Sequence, residues 1–338
     1  MEIVFFHRKD IVGAKSIEIS FQPLIESLSK DNDVKVFHVP FDGSNPIKML
    51  KNIMFIRKNS TKNGINHITG DIHYGVIGLI SRKSILTIHD DYAVRAARRG
   101  PLDKLYKWIF WLWIPTKLAS ACVCITYATK NKLVKLHIKS KLEVITHHVV
   151  SPLLSNKNKT FDKSCPRILQ FGTANSKNMY STVKALKNIP CILIVMKNKM
   201  TEEQIDFVQS MGVKFENKYE MDYKDVIAEY DNCDIVVFPS LYEGFGLPII
   251  EAQASGKPVI TTNDEPMNWV AGKGALLLNN PLDINEFEVA LRKIIDNDDY
   301  RTKLITEGTI NVKRFNIGDA EMKYFKLYKR VLGEENGI

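Results

Sequence analysis

Two glutamates, Glu243 and Glu251, lie eight residues apart and flank a turn that contains two glycines. The apolar run 235–240 precedes this turn and predicts a buried parallel strand, and Pro248 suits the first turn of a following helix. Open α/β sheets bind ligands at the carboxyl ends of their strands, and a helix N-terminus favours phosphate. Two carboxylates on either side of a phosphate seat could hold hydroxyl groups at both ends of a diphosphate, and a nucleotide sugar has that shape.

The segment 238–260, which contains both glutamates, resembles the E-x7-E motif of retaining glycosyltransferases of the GT-B fold, family 4, also called group 1. In that family the first glutamate lies beside the hydroxyls of the donor sugar and the second binds the ribose. The resemblance therefore implies a catalytic role for Glu243 and a ribose-binding role for Glu251. It also implies donor contacts from the turn between them, Gly244, Phe245, Gly246 and Leu247.

A second loop, 171–178, follows a predicted strand and resembles the phosphate loop of the same family. The resemblance implies that Lys177 reaches the donor diphosphate and is catalytic, while Gly172 and Thr173 give access to the backbone. Many family members carry an arginine just before this lysine, and this chain has none at 172–176. Further along, Tyr219 follows another strand and is expected to stack on the nucleobase, with a plain surface tyrosine as the alternative.

In the first half, the segment 86–91 resembles the family's T-x-H-D segment, which faces the transferred sugar. The resemblance implies a catalytic role for His89 and an acceptor-side position for Asp90. Arg95 is assigned to the acceptor side as a possible contact for a lipid-linked phosphate, and Gly13 lies in the first strand–helix turn. His89 could also share a metal with the polar residues of 67–73, because imidazole and carboxylate suit zinc or manganese. Since GT-B enzymes generally need no metal, we predict none.

Two departures from the family pattern favour other functions. His147 and His148 stand where Asn-Gly is common, and 268–270 reads Asn-Trp-Val where Pro-Glu-Val is common. Trp269 is expected either to reshape the donor pocket or to pack under the loop. The missing arginine and the Asn-Trp-Val segment favour a catalytically silent sugar-nucleotide-binding or assembly protein of the same fold. A phosphorylase or sucrose-type enzyme is a further alternative.

Apolar runs alternate with amphipathic stretches through the 338 residues, which is typical of parallel sheets with helical crossovers. The predicted strands are 3–6, 34–38, 65–68, 84–88, 121–125, 167–171, 192–196, 213–216, 235–239, 258–261 and 275–278. The predicted helices are 16–29, 74–81, 102–118, 129–136, 179–186, 202–209, 223–230, 248–255, 284–296, 300–308 and 319–332.

These elements predict an α/β chain of the GT-B fold, with two Rossmann-like parallel-sheet domains facing across a cleft. Residues 1–150 are expected to form the acceptor-side domain and 167–318 the nucleotide-sugar-binding domain, joined by the polar linker 151–166. The resemblance implies that the terminal helix, within 319–338, crosses back to the first domain.

The formal net charge of +9 favours anionic partners, and we expect an anionic membrane surface rather than nucleic acid. The aromatic segment 108–113 is flanked by lysines and could lie in a membrane interface, but a buried crossover helix is the favoured interpretation. The start of the chain lacks the charge order of a signal peptide, and no apolar run reaches the ~18 residues of a membrane span. We therefore expect a cytoplasmic protein, peripheral on the inner membrane.

The predicted function is a retaining, metal-independent glycosyltransferase without a cofactor. It would move a hexose-type sugar from a nucleoside-diphosphate donor, a UDP-sugar first and a GDP-sugar second. The acceptor would be a glycan or a polyprenyl-diphosphate-linked glycan in bacterial surface polysaccharide biosynthesis.

Overall fold

The structure is a computed structural model, and it describes residues 1–10, 16–95, 100–138, 140–148 and 160–334. The chain divides into two compact units. The first comprises Met1–Val150 with Ile317–Ile338, and the second comprises Ser151–Asn316. Residues 151–159 of the predicted linker and the predicted acceptor-side Gly13 lie outside the described residues.

The first unit is built on a six-stranded sheet in the order β2-β1-β3-β4-β5-β6, with every neighbouring pair parallel. Its strands are β1 Glu2–His7, β2 Asp33–His38, β3 Ile65–Ile68, β4 Ser84–Ile88, β5 Ala121–Cys124 and β6 Leu142–Val144. Its helices before the second unit are α1 Ser16–Leu28, α2 Pro46–Asn59, α3 Tyr92–Arg95, α4 Pro101–Lys107, α5 Ile114–Leu118 and α6 Tyr127–Lys135, with a 3₁₀ helix His73–Leu79 and a π-helix Trp108–Trp113.

The second unit repeats this architecture with a parallel sheet in the order β12-β11-β10-β7-β8-β9. Its strands are β7 Arg167–Phe171, β8 Ile192–Lys197, β9 Lys214–Tyr219, β10 Ile235–Phe238, β11 Val259–Thr262 and β12 Ala275–Leu278. Its helices are α7 Met179–Leu186, α8 Glu202–Ser210, α9 Tyr223–Asn232, α10 Leu247–Ala254, α11 Met267–Ala271, α12 Ile284–Asp296 and α13 Asp298–Val312, with 3₁₀ helices Asn175–Lys177 and Lys313–Phe315.

The last helix, α14 Ile317–Leu332, belongs to the first unit. Its aromatic side contributes Tyr324 and Tyr328 to a core shared with α1, where Phe21 lies 6.1 Å from Tyr324 between ring centroids. The hydroxyl of Tyr328 makes a 2.7 Å hydrogen bond with Nδ1 of His67 in β3. The aromatic stripe of this amphipathic helix is therefore core, and none of the helices in the described ranges is long and apolar enough to cross a bilayer.

The predicted α/β class with two parallel, Rossmann-like sheets is confirmed, because every neighbouring strand pair is parallel. Central strands such as β4 and β10 are buried along their whole length, as expected for sheets that are covered on both faces. The sequence interpretation was incomplete at α2, α3, β6 and α11, which it did not predict. For α2 the signal was available: Asn45 accepts hydrogen bonds from the Ile47 and Lys48 amides, and Pro46 comes directly after it. The predicted helix 102–118 is helical but passes through the π-helix, and 74–81 is a 3₁₀ helix.

Candidate functional site

The two sheets each have one point where the strand order reverses, and this is where α/β sheets of this kind bind ligands. In the second unit that point lies between β7 and β10, which are neighbours in the sheet although β8 and β9 intervene in sequence. The loops that leave these two strands carry Lys177 and Glu243. The topology therefore explains why two residues 66 positions apart in sequence share one site.

The loop after β10 leads directly into α10, which begins at Leu247, one residue before the predicted start. Gly246 precedes the helix with φ 111°, a conformation that side-chain-bearing residues rarely adopt. A Cβ at this glycine would also lie 3.0 Å from Cδ1 of Ile249. The glycine thus allows the chain to turn tightly into the helix, and it places the N-terminus of α10 at the carboxyl edge of the sheet.

Lys177 and Glu243 form an ion pair between Nζ and Oε1 at this edge. Their side chains retain 24% and 14% of their exposure, so both remain accessible to a ligand. The backbone amide of Leu241 donates to the carbonyl of Ser176 at 2.8 Å, which ties the two loops together. The structure therefore brings together the two predicted catalytic residues of the second unit.

Gly172 opens the loop after β7 with φ 81°. A Cβ there would lie 2.9 Å from Cγ of Lys177, so the glycine makes room for the lysine to lie across the loop. Thr173 is buried, and its carbonyl accepts a 3.0 Å hydrogen bond from Nε2 of Gln204. The side-chain amide of Gln170 donates to the carbonyl of Lys177 at 2.8 Å. This local network fixes the path of the loop that presents the lysine.

Glu251 lies in α10 and is 7% exposed. Its two carboxylate oxygens accept hydrogen bonds from two tyrosine hydroxyls of α9, Tyr230 at 2.7 Å and Tyr223 at 3.3 Å. Burial raises the pKa of Glu251, while these hydrogen bonds act in the opposite direction. The carboxylate predicted to bind ribose is therefore largely buried, with two hydroxyls of α9 packed against it. The sequence interpretation missed both tyrosines, which lie 28 and 21 residues earlier.

The rest of the predicted donor segment divides between core and surface. Phe245 is buried, and its ring meets Phe315 edge-on at 5.6 Å. Trp269 also meets Phe315 edge-on, at 5.9 Å, and its ring lies 4.8 Å from the guanidinium of Arg314, so this tryptophan packs against the 3₁₀ helix 313–315. Tyr219 is the last residue of β9 and is exposed, with the ammonium of Lys199 5.7 Å from its ring.

In the first unit the strand order reverses between β1 and β3. Arg8, directly after β1, donates to Glu18 at 3.0 Å and to Asp71, after β3, at 2.5 Å. The sequence interpretation missed Arg8 and Glu18, and their position after the first strand was the available signal. One arginine is thus held by two carboxylates, so the local charge at this edge is negative.

His89 lies directly after β4 at the same edge. Its Nε2 lies 2.6 Å from the carbonyl of Thr69, which can only accept, so Nε2 carries the proton of the neutral ring. Nδ1 then accepts from Nε2 of His147 at 3.2 Å, and the two rings stack at 5.1 Å. Burial lowers the pKa of both histidines, which keeps the pair neutral. Both ring nitrogens of His89 are therefore engaged within the unit.

The remaining first-unit residues occupy different surroundings. Asp90 is half-buried beside His89, and Arg95 is exposed at the end of α3. A metal shared by His67 and His73 is not supported, because both are core residues. The nitrogens of His67 face hydroxyls of Tyr328 and Thr87, and Nδ1 of His73 donates to the carbonyl of Trp111. In the described ranges, no three histidine, cysteine or acidic side chains are grouped as metal ligands.

Residues 173–310 match the family described as glycosyl transferases group 1. The matched part of the chain contains Lys177, Glu243 and Glu251. The O-antigen chain mannosyltransferase B of Escherichia coli is 31% identical to the chain over 93 residues, 28% of this chain and 24% of that protein. The chain thus matches about a quarter of that curated relative.

Several solved structures resemble nearly the whole chain. The sucrose-phosphate synthase of Thermosynechococcus elongatus superposes with a TM-score of 0.77 at 15% identity, covering 98% of this chain and 100% of that one. The Anabaena protein HepE, solved with UDP and glucose, superposes with a TM-score of 0.73 at 15% identity, covering 97% and 99%. At such low identity these likenesses establish the fold, which is the predicted GT-B fold.

Proposed function

We propose that this chain is a retaining glycosyltransferase that moves a sugar from a nucleoside diphosphate to a glycan or polyprenyl-diphosphate-linked acceptor. The observation that carries the proposal is the Lys177–Glu243 ion pair at the strand-order reversal, beside the N-terminus of α10 and inside the matched group 1 domain. An ammonium beside the positive end of a helix dipole is suited to a diphosphate, and a carboxylate is suited to sugar hydroxyls.

In this mechanism the bond between the anomeric carbon and the β-phosphate oxygen breaks, and its electron pair leaves with the diphosphate. The acceptor hydroxyl oxygen forms the new bond from the same face, and its proton passes to the departing diphosphate. Lys177 neutralises the charge that builds on the leaving group, and preorganised groups of this kind stabilise a transition state strongly. Glu243, which holds Lys177 in the free protein, turns to the hydroxyls of the donor sugar.

Glu251 is proposed to accept the ribose hydroxyls. An ionised carboxylate offers about four lone-pair sites, and the two tyrosine hydroxyls occupy two of them. Tyr223 and Tyr230 therefore orient the carboxylate without exhausting it. A UDP-sugar is the first candidate donor and a GDP-sugar the second. The structural likeness to a protein solved with UDP and glucose supports this order.

The acceptor is proposed to bind at the carboxyl edge of the first sheet. Arg8, Asp71, Asp90 and Arg95 supply charged groups there, and the neutral His89 supplies a fixed ring. Synthesis of a bacterial surface polysaccharide in the cytoplasm is the proposed setting. The Escherichia coli relative, which is named as an O-antigen chain mannosyltransferase, supports that setting.

The second candidate function is a catalytically silent sugar-nucleotide-binding protein. One observation favours it: both ring nitrogens of His89 are engaged by Thr69 and His147, so a substrate contact by His89 would require one of these bonds to open. Binding without turnover would distinguish this function from the first.

The test incubates the purified chain with UDP- and GDP-hexoses and measures release of the nucleoside diphosphate, with and without EDTA. We expect turnover of one donor that survives the chelator. A thermal shift with UDP or GDP but no release from any donor would support the silent protein instead. Loss of turnover in EDTA, restored by one divalent ion, would overturn metal independence.

A further inference from the structure

Helix α2 carries a row of exposed apolar side chains. Ile47, Leu50 and Met54 are 67%, 58% and 64% exposed. Their spacing of three and four residues places them on one face of the helix. The opposite face, with Met49, Asn52 and Ile56, is buried in the first unit. Three large apolar side chains on one helix face are thus presented to solvent, and we call this row the α2 face.

Helix α4 lies beside the start of α2 and exposes apolar side chains of its own. The hydroxyl of Tyr106 in α4 donates to the carbonyl of Ser44 at 3.3 Å and contacts the sulfur of Met49 at 2.9 Å. In the same helix Leu102 and Leu105 are 81% and 51% exposed. Two neighbouring helices of the first unit therefore both expose large aliphatic side chains.

Basic residues surround the α2 face. The helix contains Lys48, Lys51, Arg57 and Lys58, and it contains no acidic residue. In helical projection Lys51 and Lys58 fall beside Ile47 and Met54 on the exposed side. Arg57 is anchored by a 2.8 Å hydrogen bond to the carbonyl of Ile80. Lys48 pairs with Asp42 at 3.6 Å, so the cationic border of the apolar row is formed by Lys51 and Lys58.

We propose that the α2 face docks on the headgroup region of an anionic lipid bilayer. An apolar face bordered by lysine and arginine is the arrangement of helices that lie in a membrane interface, where each nearby cation adds attraction to anionic lipid. A second copy of the chain would present the same cationic border and be repelled. The charge therefore selects an anionic occupant. This proposal does not depend on whether the chain transfers sugar.

This surface differs from the aromatic segment that the sequence indicated. Within Trp108–Trp113, Trp111 and Leu112 are buried, and the indole of Trp108 donates to the carbonyl of Leu136 at 3.1 Å. The indole of Trp111 also donates into the unit, to the carbonyl of Asp71 at 2.7 Å. Residues 108–110 are half-buried and Trp113 is 38% exposed, so the interpretation as a buried crossover describes only part of this segment. The apolar side chains of α2 are more exposed, and the proposed membrane contact is therefore assigned to α2.

The test is flotation of the full chain with phosphatidylcholine vesicles, with and without about one third phosphatidylglycerol. We expect wild type to float with the anionic vesicles alone. The triple variant Ile47→Ser/Leu50→Ser/Met54→Ser should lower the bound fraction roughly tenfold or more, because the apolar contribution is lost. Lys51→Glu/Lys58→Glu should lower it as well and weaken its dependence on salt.

The matched control is Val289→Ser/Ile310→Ser, which removes two comparably exposed apolar side chains from the second unit and should bind like wild type. Melting temperatures and donor turnover without vesicles should be unchanged in all variants. Absence of wild-type binding to anionic vesicles would overturn the proposal, as would equal binding by the triple variant and the control. The surface would be assigned to self-association instead if light scattering showed a wild-type dimer and a monomeric triple variant, and if wild type did not bind vesicles.

Discussion

The strand-order reversals of the two units differ in charge although they share one architecture. In the second unit one lysine meets one glutamate beside a helix N-terminus, so the edge offers net positive potential to a ligand. In the first unit Arg8 is held by Glu18 and Asp71, and the neighbouring His89–His147 pair is neutral. The strand order sets the position of the ligand-binding edge, and the side chains at that edge set the charge of the ligand that it favours. The second edge suits a diphosphate and the first suits hydroxyl groups.

The two units also differ in their response to acid, because all eight histidines of the chain lie between residues 7 and 148. Burial lowers the pKa of six of them: to about 3 for His7 and His67, to about 4 for His73 and His148, and also for His89 and His147. The unfolded chain therefore takes up protons below pH ~6.5 that the folded unit does not.

Acidification should give the largest effect, a loss of stability in the first unit. The free energy of unfolding of the first unit is highest above pH ~6.5 and falls as the pH drops towards 4, by up to about 1.4 kcal/mol per pH unit for each buried histidine. In the second unit the raised pKa of Glu251 has the opposite effect, because its contribution to the free energy of unfolding increases as the pH falls. Hydrogen exchange at pH 7.5 and 5.5, corrected for intrinsic rates, should show lost protection in β1, β3 and β4 and retained protection in β7 and β10. Equal loss in both units would contradict this contrast.

Removing Lys177, the cation at the carboxyl edge of the second sheet, should give the next largest effect, a loss of turnover. Lys177→Ala should lower kcat by roughly 10²–10³, or ~3–4 kcal/mol, because the charge on the leaving diphosphate is no longer neutralised. Donor kinetics provide the measurement, and Lys184→Ala, an exposed lysine of α7, is the control. Wild-type turnover by Lys177→Ala would remove this edge from the mechanism.

Glu243→Gln keeps the shape of the side chain but removes its charge, and it should lower kcat by roughly tenfold to a hundredfold, because the group lies beside the reacting sugar. The two residues are in contact, so the double variant with Lys177→Ala should deviate from additivity. An additive double-variant cycle would show that the ion pair has no part in the reaction.

The buried carboxylate should give the smallest effect on turnover and a distinct effect on stability. Glu251→Ala leaves the hydroxyls of Tyr223 and Tyr230 without their acceptor, which costs about 1–3 kcal/mol for a buried group. We therefore expect a lower Tm and a higher donor KM, with kcat little changed. Tyr230→Phe, which removes one hydrogen bond, should shift the Tm less. An unchanged Tm in Glu251→Ala would contradict the burial of the carboxylate.

Much of the fold could be predicted from the sequence, because parallel strands buried on both faces read as short apolar runs. The bounds of β3, β4, β7 and β12 were predicted to the residue. Helix α2 was missed although its Asn-Pro start was visible, since exposed apolar residues obscured its periodicity. In the second unit the end of its strand placed Glu243 at the sheet edge, whereas Lys177 was assigned to the donor site through the family resemblance.

The sequence by itself determined the strands and the turns that leave them, since glycine turns, caps and strand ends are encoded within a few neighbouring residues. The tertiary structure alone decided that two tyrosines of α9 cover Glu251, that His147 pairs with His89 58 residues away, and that α2 leaves its apolar row exposed. Each of these depends on which elements pack together, because burial and hydrogen-bond partners are properties of contacts between distant segments.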